Sequence, residues 1–240
     1  MNKAVFAGVA AAALASAASA DYTGAVQSGY WVNDAADFSG TVSVYVVDVY
    51  MTSDTVWGGT DGSGDTLLNV YNWNSAGAPG AFFQSFTGTG WQPTNLGGPF
   101  DTPALRAADS FVTIGGFAQD TLAPEQAPGS GAGSGLDPNF GGNNTSFPGT
   151  DAGWFNGSPP SLNGAVDTVA GAGTIDGSDF GVLIGRFAFA GDFTIVDSTL
   201  WVTWNQGLGS PGQQAGFTVV PAPGALALLG LAGMAGRRRR

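Results

Sequence analysis

The 240-residue chain contains no cysteine and no histidine, and its single lysine, Lys3, stands almost at the start. Without thiols, no disulfide staples the fold and no thiolate serves as nucleophile or metal ligand. Without imidazole, and with no lysine beyond Lys3, the usual triads and dyads of acyl transfer and the usual zinc sites cannot be assembled. Basic residues are scarce as a class. Of seven Lys and Arg, five lie at the two ends, so that only Arg106 and Arg186 oppose 18 acidic residues between positions 21 and 220. That span carries a formal charge of −16. Such a surface repels phosphate, and nucleic acid is excluded as a partner. It suits either solubility in salty surroundings or attraction of divalent cations.

What is present is glycine, 40 residues of it, with an apolar fraction of 43% and seven tryptophans. The tryptophans and apolar content argue for a packed domain, and the glycines, with Ser, Thr, Asn and Asp, for many turns between short strands.

The two ends read as addresses. Lys3 precedes an apolar run over residues 4–14, followed by Ala18-Ser19-Ala20. A charged start, a short apolar core and a small-x-small site are the layout of a secretory signal peptide. Residues 1–20 are expected to be removed by a cut after Ala20, with Ala18 and Ala20 as the two small residues of the site. An uncleaved anchor is the alternative, although the run falls short of the ~20 residues a spanning helix needs.

At the other end, Val220-Pro221-Ala222-Pro223 leads into 13 apolar or small residues, 224–236, closed by Arg237, Arg238, Arg239 and Arg240. As a helix that segment is about 20 Å long at ~1.5 Å per residue, against a hydrocarbon core of ~30 Å. The arginines would hold it on the cytoplasmic side as a stop-transfer brake. These residues resemble a PEP-CTERM sorting tail, the bacterial signal also known as the ice-binding-protein C-terminal motif. Ala222 stands where that family usually carries glutamate. The resemblance implies processing by a membrane protease of exosortase type, transient membrane anchoring through residues 221–240, and delivery to the outer surface or extracellular polysaccharide matrix. It covers about a tenth of the chain and implies no activity. Without processing, the same tail is a membrane anchor.

Between the signals, residues 21–220 are long enough for one domain. Residues 41–51, TVSVYVVDVYM, alternate and carry apolar side chains on both faces, which predicts a central strand. Residues 66–72, 81–86, 110–114 and 216–220 read as further strands. Residues 180–190 and 193–205, separated by Gly191-Asp192, predict a β-hairpin, with Leu200, Val202 and Trp204 on one face and Trp201 and Thr203 on the other. Residues 125–160, dense in Gly, Pro, Ser and Asn, predict no long core strand but a long loop or a disordered insertion, and Phe140, Phe147, Trp154 and Phe155 favour a loop that packs its aromatics onto the domain. The fold class expected is all-β: an antiparallel β-sandwich of roughly seven to nine strands, with a jelly roll among the topologies this allows.

Function is less legible. A glycosidase needs only two carboxyl groups flanking a bond, so a secreted carboxylate-dependent hydrolase remains an alternative, but the sole glutamate is Glu125 and most aspartates adjoin Gly or Ser as turn formers do. No catalytic residue is assigned. Asp61, Ser63 and Asp65 place oxygens at alternate positions, as a calcium loop does, without completing one. No other cofactor is implied. Trp57, Trp73, Trp91 and Trp154 fall in or beside expected loops, where flat rings stack on sugars, while Trp201 and Trp204 read as core. The reading is a non-enzymatic, exported cell-surface or matrix protein, with a carbohydrate-binding module as the alternative.

Overall fold

The structure is a computed structural model, and it describes residues 22–37, 40–53, 65–75, 82–83, 91, 104, 108–114, 134–136, 151–156, 167–168, 180–189, 195, 197–206 and 210–221. Ten strands account for most of these: β1 (Tyr22–Asp37), β2 (Gly40–Ser53), β3 (Asp65–Asn74), β4 (Phe111–Val112), β5 (Ser134–Leu136), β6 (Ala152–Asn156), β7 (Asp167–Thr168), β8 (Phe180–Phe189), β9 (Thr199–Gln206) and β10 (Gln213–Pro221). The all-β expectation holds. The strands form one continuous sheet in the order β4-β8-β2-β1-β10-β9-β3-β6-β5, with β7 also on β8.

The sheet curls into a near-barrel with two layers. Val47, Val49, Met51, Ile184 and Phe187 from one half meet Leu67, Val70, Trp73, Trp154, Val202 and Trp204 from the other in a single core. Trp73 stacks on Phe187 across the layers, with ring centroids 5.6 Å apart and planes 19° apart. The Trp154 indole N–H donates to the carbonyl of Thr113, just beyond β4, at 2.8 Å. That bond draws the β6 end of the strand order towards the β4 end.

Two expectations are corrected. Pairing is not purely antiparallel, because β1 and β10 run parallel, with Ala25, Val26 and Gln27 in register with Val219, Val220 and Pro221. The hairpin across Gly191-Asp192 does not form either. β8 pairs with β2, β4 and β7, whereas β9 pairs with β3 and β10. The physical reason lies in the burial of β8, whose residues 181–189 are all buried. Such a strand needs neighbours on both edges and cover on both faces, and a tight hairpin to the one-sided β9 would place it at a boundary. β2 is central, as its sequence predicts. Its Val47, Val49 and Met51 enter the main core, while Val44 and Val46 join Val32, Ala108 and Ala188 in a smaller cluster on the outer face.

The longest strand, β1, carries no strong alternation because Gly24, Ser28 and Gly29 interrupt it. Gly29 is accommodated by packing from the neighbouring strand. The Tyr45 ring lies over it so closely that a Cβ there would sit 2.6 Å from the ring carbon bearing the hydroxyl. The region expected to be loop contains β5 and β6, and β6 pairs with β3 through Phe155 and Trp154. Asp151, just before β6, takes a left-handed backbone with φ of 61°, which Asp tolerates better than most residues. Its Oδ1 accepts from Asn74 Nδ2 at 3.1 Å.

Candidate binding face

Three of the four candidate sugar-stacking tryptophans belong to the interior. Trp73 and Trp91 are fully buried and Trp154 is 3% exposed. Each is enclosed by other rings: Trp73 by Phe187 and Trp154, Trp91 by Phe82 and Phe187. Flanking glycines and asparagines made these positions look like loop, but a domain without disulfides fills its core with its largest side chains. Trp57 lies outside the described residues. So do Asp61 and Ser63, leaving Asp65 as the one placed member of that motif. Asp65 is buried, and no group of three or more acidic side chains able to hold a metal ion occurs among the described residues. Ala18, Ala20, Ala222, Pro223 and Arg237 to Arg240 also lie outside, while Pro221 closes β10. Among the described residues no helix is long and apolar enough to cross a membrane.

The open aromatic surface lies elsewhere, on the outer face of β3, β9 and β10. Trp201 was expected in the core and is instead 44% exposed. Its partner position on β10 is Gly216, and the indole lies flat across that residue: a Cβ there would come within 2.8 Å of Cε2. One ring face is thus pressed on the backbone and the other is left open. Tyr71, opposite Trp201 on β3, lies alongside with ring centroids 6.3 Å apart and planes 38° apart. The Tyr71 hydroxyl donates to Oε1 of Gln214 at 3.0 Å, which holds that amide.

Alternation along β9 carried this information. Leu200, Val202 and Trp204 face the core, so Trp201 and Thr203 must face away from it. What the sequence hid was Gly216, because cross-strand register decides which ring finds a glycine beneath it.

A second cluster lies on the outer face of the other half. Arg186, 2% exposed, donates from Nε to Asp48 Oδ1 at 2.7 Å and from Nη2 to Oδ2 at 2.9 Å. Tyr30 donates to the same Oδ2 at 3.1 Å, and the guanidinium lies 5.4 Å from the centroid of Phe111. Burial works against the charge on Arg186, but Asp48, with Tyr30 and Tyr50, more than reverses this and holds it protonated. A carboxylate committed to a two-pronged ion pair is a structural group.

Burial also raises Tyr22 and Tyr50 well above the usual tyrosine pKa, with Asp48 adding to the effect at Tyr50 and Asp65 at Tyr22. The folded chain therefore keeps these protons while the unfolded chain loses them from about pH 10. The unfolded state then binds fewer protons, so stability falls as pH rises, by up to about 1.4 kcal/mol per pH unit per tyrosine. Urea midpoints should decline between about pH 9.5 and 11.5, and Tyr50→Phe should flatten that decline. Equal slopes in the parent and the variant would contradict it.

No protein-family model, curated protein or solved structure matches the chain.

Proposed function

We propose that the chain is a non-enzymatic cell-surface or extracellular-matrix protein, exported by residues 1–20 and sorted by a PEP-CTERM-like tail over residues 221–240. The observation that supports this most directly is where the sheet stops. β10 ends on Pro221, the residue at which the tail begins. Val219, just before it, is buried, donates to the Ser198 carbonyl at 2.8 Å and accepts from the Asp197 N–H at 3.1 Å. Val220 is already 45% exposed. A cut after Pro221 leaves every strand among the described residues in place. That is what a removable sorting signal requires. The tail is also short for a permanent anchor, and the acidic surface suits a protein kept soluble outside the cell.

Two truncations and one substitution test the reading. A chain ending at Pro221 should be exported, protease-resistant and released. One ending at Gly212 loses the strand between β1 and β9 and should be degraded. Replacing Arg237 to Arg240 by glutamines should release or misplace an otherwise folded protein. Localisation by fractionation that is unchanged by this replacement would remove the sorting claim.

A further inference from the structure

We infer that the outer face of β3, β9 and β10 is a binding site for a neutral polysaccharide, with Trp201 as its stacking platform. The first support is the posture of Trp201. This ring is held flat on Gly216 with Tyr71 at its side, leaving one apolar face open. A flat, open ring matches the flat C–H face of a pyranose. The second is the composition of the surrounding rows. Asn69, Thr203 and Gln214 are in register across the three strands, and Thr199 faces Thr218 on the other side of Trp201. Thr199, Thr203 and Thr218 carry hydroxyls and Gln214 an amide suited to sugar hydroxyls, the Gln214 amide being held by Tyr71, whereas Asn69 Oδ1 is buried. A shallow groove of about 280 Å³ runs beside the ring between Thr199 and Thr218.

Charge selects the occupant. None of these face residues is charged, on a domain whose formal charge is −16. A uronate-bearing or sulfated polymer would be repelled by the domain's field, and so would a second copy of the chain. A neutral polymer meets no such barrier. The face also favours a polymer over a single sugar. Phe155, 44% exposed, stands opposite Asn69 on the same side. It lies two strands and one two-residue step from Trp201, about 12 Å between Cα atoms at ~4.8 Å per strand and ~6.8 Å per step.

Electrophoresis of the full-length chain, in a non-glycosidic detergent, through native gels containing hydroxyethylcellulose, galactomannan, dextran or polygalacturonate tests this. At least one neutral polymer should retard the chain and polygalacturonate should not. Trp201→Ala should weaken retardation about tenfold or more while leaving the unfolding midpoint nearly unchanged, since the ring is outside the core. Gly216→Ala, which lifts the ring without removing it, should weaken it in part. Trp31→Ala, at a 49%-exposed ring on β1, should have no effect. The inference is overturned if no neutral polymer retards the chain, or if Trp201→Ala leaves retardation intact. Polygalacturonate retarding it equally, or a mass that doubles with concentration unless Trp201 is replaced, would overturn it too. None of these readouts depends on the tail being a sorting signal.

Discussion

Arg186→Leu should lower the unfolding free energy by about 3 to 5 kcal/mol, a large share of the roughly 5 to 15 kcal/mol that holds a domain together. The loss comes from Asp48, which the substitution leaves buried with its two-pronged partner gone and only the hydroxyls of Tyr30 and, at 3.5 Å, Tyr50 donating to its side chain. Packing alone does not account for it, because leucine fills part of the space over Phe111. Asp48→Leu combined with Arg186→Met should recover most of the loss. Once both charges are removed, neither partner has to be held away from water unpaired, and exchanges of this kind are often neutral or stabilising. Urea unfolding of the parent, Asp48→Leu, Arg186→Met and their combination, followed by circular dichroism, yields the coupling directly. A single-variant loss below about 1 kcal/mol would mean that water reaches Asp48.

Trp73→Ala is the second large effect, expected at about 3 to 5 kcal/mol. The side chain is fully buried and bridges the layers, touching Phe187 on β8 and Trp154 on β6, so alanine opens a cavity at the centre of the core. Trp73→Phe should cost much less. It retains most of the ring contact and removes an indole N–H that has no acceptor among the described residues. An unsatisfied buried donor contributes nothing that phenylalanine forfeits. Trp201→Ala, on the same sheet but outward, should shift stability by about 0.5 kcal/mol or less. If the two alanine variants lose equal stability, the distinction between core and platform tryptophans fails.

Those contrasts also show which parts of the molecule were readable beforehand. The seven residues of TVSVYVV announce β2, because only a strand covered on both faces uses that pattern. The alternation of Leu200, Val202 and Trp204 likewise sets the inner face of β9. What could not be read was which strand lies beside which. β8 and β9 adjoin in sequence through a turn-forming Gly-Asp pair, yet three other strands lie between them in the sheet. Local turn chemistry describes a few residues, whereas burial of β8 on both faces is settled by distant segments. β1 escaped notice because the space over Gly29 is filled by the Tyr45 ring of its neighbour, so its own sequence lacks a side chain that completes it. For the same reason the loop tryptophans and Trp201 exchanged roles: adjacent asparagines at Trp73 and an adjacent glycine at Trp91 signal a turn, but the glycine that matters to Trp201 is Gly216, on the next strand.

The side-by-side placement of the first and last strands bears on how the chain acquires its shape. Ala25 and Val219 are neighbours in the sheet although 194 positions separate them in the chain. Closing a loop of that length costs about 5 kcal/mol of chain entropy, and contacts this distant in sequence go with slow folding. The seam that joins the two halves cannot be made until the final strand is free, so a chain still being threaded across a membrane lacks it. Under the proposed export, such a topology would postpone closure until passage is nearly complete, leaving the polypeptide open while a narrow translocation channel holds it.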